Sequence, residues 1–156
     1  MLVLRPTRYW TAPSFRQYPS AFMNAAEKIL AMTRTRSKPF LVSIVDDDEA
    51  IRNALGNLFE SVGLNVETFA SAEHFMDFPE ANERSCLVLD VQLPRMSGLE
   101  LQRELSGNAN AVPIIFMTAH SDERVRERAL EAGAVAFFQK PFNSEALLDA
   151  VHSVLK

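Results

Sequence analysis

Asp46, Asp47 and Asp90 offer carboxylates, Lys140 an ammonium and Thr118 a hydroxyl, and each stands at the carboxyl end of a short apolar run. Carboxylates gathered in one place repel one another unless a cation compensates them. A hard divalent ion does so, and Mg²⁺ favours a few carboxylates with waters and phosphate oxygens over an all-protein cage. The set therefore predicts a metal and a phosphoryl group at one site. Lys140 can pair with a carboxylate at rest and with a phosphoryl oxygen when one is present. Pro141 follows it and fixes the local backbone, if need be through a cis bond. Thr118 can donate to another phosphoryl oxygen. Metal, ammonium and hydroxyl together would neutralise the charge that develops during phosphoryl transfer, with a carboxylate as nucleophile and an aspartyl phosphate as product.

The elements that must bring these residues together alternate between strand and helix patterns. Phe40 to Val45, Leu64 to Phe69, Cys86 to Leu89, Val112 to Met117 and Val135 to Phe138 read as strands. The second alternates as a half-buried strand, whereas the fourth is continuously apolar and suits a centre covered on both sides. Between them run helices: Ile51, Leu55, Leu58, Phe59 and Val62 fall at helical spacing, closed by Gly63. Ser71 caps a short helix with Phe75, Met76 and Phe78, and Ser97 with Glu100 has capping-box spacing ahead of Leu101 and Leu105. Ser121 to Ala132 is a highly charged helix with a thin apolar face at Val125, Ala129 and Ala132, ended by Gly133. Asn143 caps a last helix bearing Leu147, Val151, Val154 and Leu155. Five βα units of this kind predict an α/β fold, a doubly wound five-stranded parallel sheet of flavodoxin-like order 2-1-3-4-5. Ligands of such sheets collect at the carboxyl ends of the strands, where all five residues lie.

Charge divides the 156-residue chain. Residues 1 to 38 carry seven basic residues against Glu27 alone, and the remainder carries nine basic and nineteen acidic residues. The length fills one ordinary core, so one domain over 39–156 with a basic N-terminal extension over 1–38 is expected. The extension shows no periodicity before a short amphipathic stretch from Ala21 to Met32. It reads as a disordered tail, or as upstream sequence translated ahead of a start at Met23 or Met32. Its Arg-rich, acid-poor composition also suits a basic arm for an acidic partner or an organelle presequence. The single cysteine, Cys86, excludes an internal disulfide and reads as an inert core thiol. No run of 18 apolar residues predicts a membrane span, and a cytoplasmic location is expected.

The segments Ile44-Val45-Asp46-Asp47-Asp48, Leu89-Asp90-Val91-Gln92-Leu93-Pro94 with Ser97-Gly98, Met117-Thr118-Ala119 and Phe138-Gln139-Lys140-Pro141-Phe142 resemble the signature blocks of response-regulator receiver domains. The likeness runs from Phe40 to Lys156, and within that family it is nearest to the receiver half of FixJ-type regulators. It implies Asp90 as phosphoacceptor, Asp46 and Asp47 as the acidic pair that places Mg²⁺, and the Gln92 backbone carbonyl as a further ligand. It also implies a switch hydroxyl at Thr118, the family's lysine at Lys140 and a rotamer-changing aromatic at Phe137. The implied donor is a histidine kinase or phosphotransfer protein. With no output domain recognised in the sequence, the signal is expected to leave through a downstream protein. Phosphorylation-linked homodimerisation through the last two helices is left open.

Taken singly, these residues have plainer readings. Asp48 is a helix-start acid, Phe137 a core aromatic, Thr118 a strand-end threonine and Lys140 a snorkelling surface lysine. His74 and His152 suit packing or surface roles, whereas His120, two residues past Thr118, is placed to flank with Gln92 the path of water to an aspartyl phosphate and tune its lifetime. Two other function classes compete. One is a phosphorylation-independent interaction module. The other is a Mg²⁺-dependent aspartyl-phosphate phosphatase, disfavoured because Gln92 stands where an acid–base carboxylate would be needed. Direct DNA binding is not expected of an acidic domain.

Overall fold

The computed structural model describes residues 39–78, 85–108 and 111–155. The expectations for residues 1 to 38 lie outside them. Five parallel strands, β1 (Leu41–Val45), β2 (Asn65–Phe69), β3 (Ser85–Asp90), β4 (Ile114–Thr118) and β5 (Ala136–Gln139), form one sheet in the order β2-β1-β3-β4-β5. The helices are α1 (Glu49–Ser61), α2 (Ala72–Met76), α3 (Gly98–Ser106), α4 (Glu123–Glu131) and α5 (Ser144–Val154). The doubly wound order is the expected one.

Alternation of side chains across each strand builds a core on either face of the sheet. Val42, Ile44, Cys86, Val88, Ile115 and Met117 meet Leu55 and Phe59 of α1 and Leu147 and Val151 of α5. On the other face Val45, Leu87, Leu89 and Phe116 meet Phe75 of α2, Leu101 and Leu105 of α3 and Ala129 of α4. Covered on both faces, β3 and β4 are buried at every position, which their unbroken apolar character anticipates. Cys86 is fully buried, and burial pushes its thiol up to about 12, far from thiolate chemistry.

Several local expectations need correction. β2 is an edge strand that starts at Asn65, one residue later than expected; Leu64 and Val66 pack half-buried against the core while Asn65 and Glu67 are exposed, which is the alternation the sequence carries. Val62 falls at the cap of α1 and is 45% exposed, and Met76, Val135 and Ala132 also face solvent. α4 starts later than Ser121, because the Asp122 carboxylate accepts from the N–H groups of Arg124 and Val125 and so sets the N-cap. Pro113 lacks a donor and delays β4 to Ile114. The Ser71 and Asn143 caps and the Ser97–Glu100 capping box form as expected, and Asp48, expected as a helix-start acid, is the N-cap of α1. Gly63 and Gly133, at φ 83° and 99°, end α1 and α4 in the left-handed region.

Candidate functional site

β1, β3 and β4 are neighbours in the sheet and run in the same direction, so their carboxyl ends bring Asp46, Asp90 and Thr118 to one edge. Asp46 follows β1 and is fully buried. Its N–H donates to the Phe69 carbonyl at 3.1 Å, which ties it to the end of β2. Its Oδ1 accepts from the Asp48 N–H at 2.9 Å and its Oδ2 from Lys140 Nζ at 2.7 Å. Asp90, the last residue of β3, is 6% exposed. Its Oδ1 accepts from the Gln92 N–H at 3.0 Å and its Oδ2 from Lys140 Nζ at 3.3 Å. One ammonium thus bridges two buried carboxylates that start 44 residues apart in sequence. Lys140 itself is steadied by its main chain, whose N–H donates to the Thr118 carbonyl at 2.7 Å, and its bond to Pro141 is cis.

The electrostatics follow from burial opposed by pairing. Burial raises the pKa of Asp90, and the like charge of Asp46 adds to it, against the lowering effect of the Gln92 N–H and of Lys140. Burial alone would pull Lys140 down, but its hydrogen bond to Asp46 and the charges of Asp90 and Asp46 outweigh that and hold the ammonium above its ordinary value. A carboxylate strained toward protonation beside a firmly charged lysine is a site short of positive charge.

Asp47 supplies the third carboxylate from an exposed position. Oxygens of Asp46, Asp47 and Asp90 lie within 4.8 Å of one another, two of the residues buried and one open to water. Such an all-oxygen set with one wet side suits a hard divalent cation that keeps part of its water. Gln92 stands on the loop directly after β3, with its N–H on Asp90. Thr118 is buried at the end of β4, where its Oγ1 donates to the His120 carbonyl at 3.1 Å and accepts from the His120 N–H at 3.2 Å. His120 is exposed beside it. Phe137 lies half-buried in β5, paired across the sheet with Phe116 at a ring-centroid distance of 6.0 Å. It lines a cavity with Thr118, Arg126 and Gln139. His74 sets its ring edge-on to Phe69 and His152 is exposed on α5, and neither belongs to the cluster of Asp46, Asp47 and Asp90.

Two neighbours of the site escape the sequence reading. Arg52 Nη1 donates to the Asp46 carbonyl at 2.7 Å. Gly98 opens α3 so close to the end of β3 that an added Cβ would overlap the Asp90 carbonyl oxygen, while its own N–H donates to Val91 at 2.9 Å. Gly98 sits inside a recognised block, and a glycine directly after an N-cap serine is the signal that could have marked it. Arg52 resembles any other polar residue of an amphipathic helix.

A sequence model described as response regulator receiver domain matches residues 42–152. The response regulator protein TodT of Pseudomonas putida is 45% identical over 116 residues, which are 74% of this chain and 51% of TodT. The transcriptional regulatory protein FixJ of Azorhizobium caulinodans is 40% identical over 114 residues, 73% of this chain and 54% of FixJ. The chain therefore spans about half the length of the curated relatives it matches. Among solved structures, the crystal structure of FixJ-N is similar at a TM-score of 0.69 and 35% identity, covering 76% of this chain and 94% of that one.

Proposed function

This chain belongs to the response regulator receiver domain family of two-component systems, and on that premise we propose that Asp90 accepts a phosphoryl group from the phosphohistidine of a kinase or phosphotransfer protein. The observation that carries the reading is the Lys140 ammonium held between Asp46 and Asp90 at 2.7 and 3.3 Å. A carboxylate oxygen of Asp90 attacks phosphorus, the bond to the donor imidazole nitrogen breaks, and the imidazole leaves with the electron pair. Asp46, Asp47, Asp90 and the Gln92 carbonyl would hold Mg²⁺, which when bound supplies positive charge toward the phosphoryl oxygens. Lys140 then turns from Asp90 to a phosphoryl oxygen, with Asp46 keeping it charged. Thr118 gives up its bond to the His120 carbonyl and donates to another phosphoryl oxygen. Its inward shift leaves room for Phe137 to change rotamer on the face formed by α4 and β5, a local electrostatic change biasing a two-state element. Gln92 and His120 border the approach of water and set how long the acyl phosphate lasts.

Residues 39–156 form the receiver unit in this reading, acting in the cytoplasm through protein contacts, and direct DNA contact by this unit is not part of it. Receiver domains are signalling domains, and Gln92 in place of a carboxylate two residues beyond Asp90 speaks against a phosphatase acting on small phosphoesters. Incubation with an autophosphorylated histidine kinase tests the reading. Label should pass to the wild-type chain and not to Asp90→Asn; label retained by Asp90→Asn would move the acceptor elsewhere.

A further inference from the structure

Arg52 is the fourth residue of α1, a position where a cation opposes the helix dipole. Its guanidinium nevertheless reaches back over the first turn to the Asp46 carbonyl at 2.7 Å, while its own N–H donates to the Asp48 carbonyl at 3.1 Å. Asp46 is fully buried, and a buried carbonyl requires a donor. Its other polar groups are held as well, the N–H by Phe69, Oδ1 by the Asp48 N–H and Oδ2 by Lys140. The Arg52 bond fixes the peptide unit that joins Asp46 to Asp47, and so the relative position of two of the three clustered carboxylates.

Resting on the reading of this cluster as a Mg²⁺ site, we propose that Arg52 is a positioning residue that orders the Asp46–Asp47 peptide and thereby sets the affinity for the ion. It acts through the Asp46 carbonyl, to which its guanidinium donates, and not as one of the clustered carboxylates. Partners that orient metal ligands from behind alter affinity by about 10- to 100-fold when removed. Loss of a positive charge near a cation site would by itself tighten binding. Weaker binding after Arg52→Met therefore reports lost positioning, and tighter binding reports lost charge.

Calorimetric titration of the full chain with MgCl₂, beside thermal melting, separates the two. Arg52→Met should bind Mg²⁺ about tenfold more weakly than wild type, and Arg52→Lys, which keeps the charge and one donor, should recover part of the loss. Should Arg52→Met fail to fold, Arg52→Gln, uncharged and shorter, carries the same expectation. Unchanged or tighter binding by the uncharged variant would overturn the inference and leave the acidic site standing. Failure of the wild-type chain to bind Mg²⁺ would overturn the reading of the site, and this inference with it.

Discussion

Lys140 holds the resting site together, because its one ammonium bridges the buried carboxylates of Asp46 and Asp90. Removing one partner of a buried ion pair leaves an uncompensated charge. Lys140→Met should therefore lose about 3 kcal/mol of stability at neutral pH, read as a lower urea midpoint with an unchanged slope. Asp90 carries the opposite sign. Its folded pKa is raised, first by burial, so the stability linked to its protonated form is present below its unfolded pKa and is lost as pH rises through the higher folded value. In metal-free buffer, Asp90→Asn should melt above wild type at neutral pH, with the gap closing as the pH falls through the carboxylate range. An Asp90→Asn chain that melts below wild type at neutral pH would contradict this balance.

The elements position these residues through a few places where the backbone leaves no latitude. α3 begins against the end of β3, and Gly98→Ala would press a methyl group into the backbone carbonyl of Asp90, which cannot swing aside as a flexible side chain would. The expected loss is roughly 2 kcal/mol or more. Gly56, inside α1 with nothing within reach of an added Cβ, behaves in the opposite way: Gly56→Ala should gain about 0.5 to 1 kcal/mol. Paired urea titrations of the two variants check both. The strands and caps were legible in the sequence because burial on both faces leaves continuous apolar runs and because Ser71, Ser97 and Asn143 cap by a local rule. Asp46, Asp47, Asp90, Thr118 and Lys140 were legible as a group because a parallel sheet sends every strand end to one edge. What stayed hidden depends on contacts that no pattern encodes. The Arg52 bond follows from the path of a turn, and the Gly98 contact from the separation of a helix and a strand.

Over the whole chain, charge separates two kinds of polypeptide, a basic stretch over 1 to 38 and an acidic remainder. Among the described residues no helix is long and apolar enough to cross a membrane. The described residues, which begin at 39, hold two core clusters and the candidate site. A chain reduced to 39–156 should keep its melting temperature and its phosphorylation, and a large fall in either would show that the first 38 residues belong to the folded unit. The match over about half the length of the relatives makes the acidic site, and not the complete pathway, the part of the account that one experiment can decide. That experiment is the intact mass of the full chain after incubation with a small-molecule phosphodonor, with and without Mg²⁺, beside Asp90→Asn. The account predicts the gain of one phosphoryl group only with Mg²⁺ and only on the wild-type chain. No gain in any condition, or an equal gain by Asp90→Asn, would contradict it.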